Sequence, residues 1–171
     1  LKIDDILNRN FTVESFRNDS YDFRFSIQKI EEIAVRALSA GINDPYTAVE
    51  AVNALGYVMQ KMAKREAGYY ILKEDDQPAV LYYRANSFES DLIDVFHPIV
   101  HYGCQDMFVL KSLFNAYKNI AFAASRDNLN AIKELAKYTY ERGQATMDHP
   151  FDQKLMEEDY QKLCTYIARR D

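Results

Sequence analysis

A chain of 171 residues, 48% hydrophobic and 27% charged, is long enough to bury one sizeable core and short for two. Its net charge of -5 and pI near 5.3 argue against a broad surface for nucleic acid or anionic lipid, which needs clustered Lys and Arg. Cys104 and Cys164 form no C-x-x-C pair, so reduced thiols are expected rather than a disulfide framework or a thiol-rich zinc site.

Residues 1–20 are the least periodic and read as an N-terminal connector from an upstream segment, with a short helix over Ile3 to Leu7 and an extended piece over Phe11 to Phe16. A single helical domain is expected over 21–171. From Asp22 the period of a helix sets in: Phe23, Ile27, Ile30, Ile33, Ala34, Ala37 and Leu38 share one face, with Gln28, Glu31, Glu32 and Arg36 opposite. Gly41 is expected to take the positive φ that ends this helix. Asp44 then caps a second, whose first residue is Pro45. This second helix runs to about Arg65, with Val49, Val52, Leu55, Gly56, Met59 and Met62 inward.

After Gly68 the period changes. Tyr69 to Lys73 and Pro78 to Arg84, separated by the polar Glu74-Asp75-Asp76-Gln77, read as a small β-hairpin. Asn86 is expected to cap a third helix, Ser87 to Tyr102, kinked at Pro98 and stopped by Gly103. Asp106 caps a fourth, with an apolar stripe from Val109 to Ala124. Asp127 is expected to cap a fifth, carrying Ile132, Leu135, Ala136, Thr139 and Gly143. The sixth is expected from about Asp152 to Arg169, with Leu155, Met156, Leu163, Tyr166 and Ile167 inward. The fold class is therefore mainly α, a bundle of about six helices with one small β-hairpin.

One stretch is more specific than the rest. Asn43-Asp44-Pro45-x-Thr47-Ala48-Val49 resembles the signature of a bacterial family of predicted membrane proteins labelled domain of unknown function 2254, whose members have a similar N-D-P-x-T-A-V run. Asp22, Phe25, Ile30 and Ile33-Ala34 also match the family's pattern, while Ser26 replaces a Gly, Glu32 an Asp, and Ala40 a Pro. The corner Tyr102-Gly103-x-x-Asp106 is similar as well. The resemblance implies transmembrane helices upstream, with this segment as a C-terminal soluble domain; that domain is expected on the cytoplasmic side of the cell membrane. It implies no activity.

Candidate chemistry is sparse. No window reaches the roughly 18 to 20 uninterrupted apolar residues of a membrane-spanning helix, and no signal peptide is evident. There is no nucleophile elbow and no Gly-rich phosphate loop, and no cofactor is indicated. The candidate ligand-binding residues are Ser39, Gly41, Asn43, Asp44 and Thr47, where free amides at a helix start could hold a small anion or a partner's carboxylate. Asp44 opposes a strongly anionic ligand there, and a plain helix-turn-helix corner explains the same residues. Asp94, His97, His101 and Cys104 recur along one helix face, a weak metal candidate set against a solvated face.

Tyr46, Tyr69, Tyr70, Tyr82, Tyr83 and Tyr138 fall on outer faces or on the hairpin, which suggests an interface. The first expectation is a non-enzymatic interaction or regulatory domain that forms a homodimer or docks on its own upstream segment, touching the membrane only through that segment. The alternative is a small-ligand sensor or enzyme with its site at the Ser39 to Thr47 corner.

Overall fold

The computed structural model describes Asp5, Ser15, Phe16, residues 22–64 and residues 86–170, with the backbone of Tyr69–Leu72 and Leu81–Arg84. The expected short helix near Ile3, the extended piece near Phe11 and the hairpin's polar turn lie outside the described residues. Among the described residues six helices follow one another: α1 (Phe23–Ala37), α2 (Pro45–Met62), α3 (Phe88–Gly103), α4 (Met107–Ala123), α5 (Arg126–Thr146) and α6 (Pro150–Ala168). Between α2 and α3, β1 (Tyr69–Leu72) pairs antiparallel with β2 (Leu81–Arg84), Tyr69 opposite Arg84 and Leu72 opposite Leu81.

The helices pair as three helical hairpins set side by side. α1 packs on α2 and α5 on α6, while α3 and α4 meet little beyond their corner; contacts between successive pairs set α1, α3 and α5 in one layer and α2, α4 and α6 in the other. The order arises from short corners that force antiparallel neighbours. No sequence repeat announces it. α4 lies centrally, which is why its whole expected stripe, including Leu110, Leu113, Phe114, Tyr117 and Ile120, is buried.

Small residues set the closest contacts. A Cβ on Gly56 would come within 2.9 Å of Ala116 Cβ, so glycine allows α2 to approach α4 closely. Deep in the core, Tyr117 hydroxyl bonds Thr139 Oγ1 at 3.0 Å, and Thr139 donates to the carbonyl of Leu135 at 2.8 Å. Phe96 meets Tyr117 edge to face at 5.4 Å.

Several expectations are corrected. Gly41 does not take a positive φ; Asn43 does, at 51°. The cap of α3 is Ser87, which accepts from the amide of Ser90, rather than Asn86. α5 starts after Ser125, so Asp127 is in its first turn and complements the helix dipole instead of capping it. α6 begins earlier than expected, at Pro150, capped by His149, whose Nδ1 accepts from the amide of Phe151. Phe23, Ile33 and Leu155, assigned to inner faces, are 46%, 51% and 36% exposed, because a layered helix buries a narrower stripe than its hydrophobic periodicity offers.

Candidate functional site

The corner between α1 and α2 is built almost entirely from its own polar groups. Ser39 hydroxyl donates to the carbonyl of Arg36 at 2.7 Å. The carbonyl of Ser39 accepts from the amides of Ile42 and Asn43, and the amide of Asp44 closes the turn on the carbonyl of Ala37 at 2.8 Å. Asp44 Oδ1 then accepts from the amide of Thr47 at 3.1 Å and Oδ2 from its hydroxyl at 2.6 Å. These bonds, the hydroxyl of Thr47 first and its amide second, hold the Asp44 carboxyl below the usual carboxylate range. The positive φ of Asn43 suits a residue type that tolerates the left-handed region. Asn43, Asp44, Pro45, Thr47 and Ala48 thus each have a local task, down to Ala48, which is fully buried, while Tyr46 between them points to solvent. Gly41 is exposed, and a Cβ there would touch nothing within 4 Å.

The second corner repeats the design. Asp106 Oδ1 accepts from the amides of Phe108 and Val109 at 2.8 and 3.2 Å. Gly103 is needed for space: its Cβ would lie 2.7 Å from Val109 Cγ1 and 3.1 Å from Leu38 Cδ1. Asp22 does for α1 what Asp44 and Asp106 do for α2 and α4, accepting from the amide of Phe25.

The α3 residues do not share one open face. His97 and His101 are exposed and Asp94 with them, but Cys104 is 4% exposed, its thiol directed at the carbonyl of His101 and approached by Arg142 Nη2 at 3.9 Å. Cys104 falls where α3 ends against α5, which draws it into the core. His97 stacks on Tyr138 with ring centroids 5.2 Å apart and shares a bond with its hydroxyl. Tyr138, expected on an outer face, is therefore half-buried against α3. Among the described residues no group of three or more His, Cys, Asp or Glu is placed to hold a metal ion.

Two features go beyond the sequence reading, which placed Tyr46 on an outer face but not Phe108 or Phe151. One is a row of exposed aromatics. Tyr46, Phe108 and Phe151 each occupy the second position of the second helix in their hairpin and are 70%, 62% and 62% exposed. Tyr46 and Phe108 touch, with ring centroids 5.9 Å apart, and Ile42 is exposed beside them in the first corner. The row was legible only as an aromatic following each Asp44-Pro45, Asp106-Met107 and His149-Pro150 pair. The other is a cleft of about 360 Å³ between α1 and α3, lined on its polar side by Arg24, Gln28, Glu31, Asp91 and Asp94. There Arg24 grips Asp91 bidentately, Nε and Nη2 each 3.0 Å from a carboxylate oxygen.

The profile of a family described as predicted membrane protein (DUF2254) matches residues 2–119. The chain belongs to this family. Its profile takes in both corners and both of their capping aspartates, and ends within α4. Uncharacterized proteins of Mycobacterium tuberculosis and Mycobacterium bovis are 30% identical over 100 residues, 58% of this chain. The chain spans 19% of the length of these relatives. No solved structure matches it. Among the described residues no helix is long and apolar enough to cross a membrane.

Proposed function

We propose that this chain is a soluble interaction domain of a larger bacterial membrane protein, acting through contact rather than catalysis. The observation that carries the reading is the row Tyr46, Phe108 and Phe151, one exposed aromatic at the second position of each of α2, α4 and α6. Aromatics exposed in series on a fixed frame lose little side-chain freedom on binding and give much contact area. The partner proposed is the rest of the same full-length protein. Relatives of this chain extend well beyond the matched part, and the membrane character in the family's description has no source in the described helices. A homodimer through the same row is the competing arrangement.

A small-ligand site at the Ser39 to Thr47 corner has less support, since the carboxylate of Asp44 and the hydroxyls of Ser39 and Thr47 are bonded within the turn. A benzophenone amino acid at Tyr46 or Phe108 of the full-length protein in membranes separates the possibilities. Crosslinks to segments outside this chain are expected; a crosslinked dimer would favour a second copy. If neither position captured protein, while one on an outer face such as Lys133 behaved the same, the row would have no partner.

A further inference from the structure

The outer face of the layer formed by α2, α4 and α6 carries a charge opposite to that of the chain as a whole. These helices run parallel: Tyr46 meets Phe108 and Gln60 bonds the carbonyl of Asn119, while Phe114 meets Tyr160 and Lys118 meets Tyr166. The central helix, α4, contains no acidic residue, and its two charged side chains, Lys111 and Lys118, are both exposed on this face. Lys61 lies over the Tyr57 ring at 5.0 Å and Lys118 over the Tyr166 ring at 5.7 Å, so cations and aromatics are interleaved. Between α4 and α6 is an open hollow of about 530 Å³ lined by Lys118, Lys162 and Arg169, where Glu158 is the one lining carboxylate and Asp159 offsets Lys162 at 2.9 Å. Glu50 is exposed on α2. Among the described residues no carboxylate is ion-paired with Lys61, Lys111, Lys118 or Arg169. The opposite face, on α1, α3 and α5, mixes the signs: Glu32, Glu89 and Asp94 are exposed there, and Lys137 pairs with Glu141 at 3.9 Å. The net charge of -5 conceals this separation.

We propose that this face lies on an anionic lipid bilayer, with its lysines and Arg169 on the headgroups and Tyr57 and Phe122, 61% and 68% exposed, at headgroup depth. Charge complementarity carries the choice of partner, since clustered cations are drawn to an anionic leaflet within a Debye length of it. The aromatics fit the same partner, because Tyr and Phe rings beside long cationic side chains suit the boundary between water and hydrocarbon. A layer of three parallel helices also offers the breadth that a lipid surface can meet. The family is one of predicted membrane proteins, which sets a bilayer within reach of this chain. None of the row Tyr46, Phe108 and Phe151 is needed for this contact, so it stands apart from the docking proposed for that row.

Cosedimentation of the 171-residue chain with vesicles of phosphatidylcholine alone, and of equal parts phosphatidylcholine and phosphatidylglycerol, tests this. Binding to the anionic vesicles is expected to weaken as salt rises and to exceed binding to phosphatidylcholine at least about tenfold. Lys111→Glu combined with Lys118→Glu should weaken it at least about tenfold. Lys133→Glu combined with Lys137→Glu changes the net charge equally on the far side of the bundle, beyond a Debye length of about 8 Å, and should weaken it less than about twofold. Because the chain has no Trp, Phe122→Trp reports its own surroundings. Its emission should shift to the blue on anionic vesicles, and that of Ile93→Trp, on the opposite face, should not. Thermal melts establish that the variants remain folded. The proposal is overturned by no binding to anionic vesicles, by equal binding to phosphatidylcholine, by equal losses for the two charge-reversed pairs, or by equal blue shifts at the two positions. A chain that ignores both vesicles but forms a dimer, split by the Lys111 and Lys118 reversals, would assign the face to a second copy and overturn it as well.

Discussion

The α1–α2 corner and the α1–α3 cleft both gather polar side chains beside the same first helix, and they do so in opposite ways. In the corner every partner is within a few residues: Ser39 with Arg36, and Asp44 with Thr47. In the cleft the decisive pair, Arg24 and Asp91, is separated by 67 residues, and Glu31 and Asp94 are left over. A conspicuous local motif has spent its polar groups on folding the chain. Unspent charge collects where distant segments meet, and there the sequence gives no signature.

The largest effect that would sharpen this contrast comes from the ion pair. Arg24→Met leaves the nearly buried Asp91 without its bidentate partner and should cost about 2 to 4 kcal/mol in urea melts. Asp91→Asn should cost less, since the Arg24 side chain is 32% exposed and water can reach it. Equal small losses for the two would show that the cleft wall is not held by this pair. Next in size is Gly103→Ala, expected to cost about 1 to 3 kcal/mol because the new methyl drives into Val109 and Leu38. Gly41→Ala, by contrast, should be nearly silent, as the residue has neither a positive φ nor a neighbour to meet. A large loss at Gly41 would restore the glycine-ended helix that the sequence suggests.

The smallest effects are in pH dependence, where the two regions should differ in sign. Asp44 has a lowered pKa, so its contribution to stability is complete above the ordinary value of 3.8 and is lost as pH falls through its folded value. Glu31 has a raised pKa, so its charge destabilises the fold above its folded value, and the penalty is gone below the ordinary 4.5. Glu31→Gln should therefore be more stable than the parent at pH 7 and equal to it at pH 3. Asp44→Ala should be less stable at pH 7, the difference shrinking in acid. Stability curves that move in the same direction for both would undo the distinction.

Much of the fold was legible because helices leave strong marks. Asp22, Asp44 and Asp106 each precede a helix that they do cap, and the α4 stripe from Val109 to Ala124 is buried as its period implies. The misassigned starts lie one to three positions from the observed caps: Asn86, Asp127 and Asp152 stand beside Ser87 and His149, which accept helix amides, and Ser125, after which α5 starts without a side-chain cap bond. The layering of three hairpins was not legible, since it depends on contacts such as Gly56 with Ala116 that no local pattern encodes. For the same reason Cys104 and Tyr138 went to the surface in the sequence reading and to the α3–α5 seam in the structure.

The central claim is that the polar residues of the corners build the fold while Tyr46, Phe108 and Phe151 beside them make contact with the rest of the protein. Amide hydrogen exchange, compared between the 171-residue chain and the full-length protein in membranes, tests it most directly. The account predicts slower exchange in the full-length protein at Ile42, Thr47 and Phe108, with the middle of α4 unchanged. Identical exchange at both corners in the two settings would contradict it.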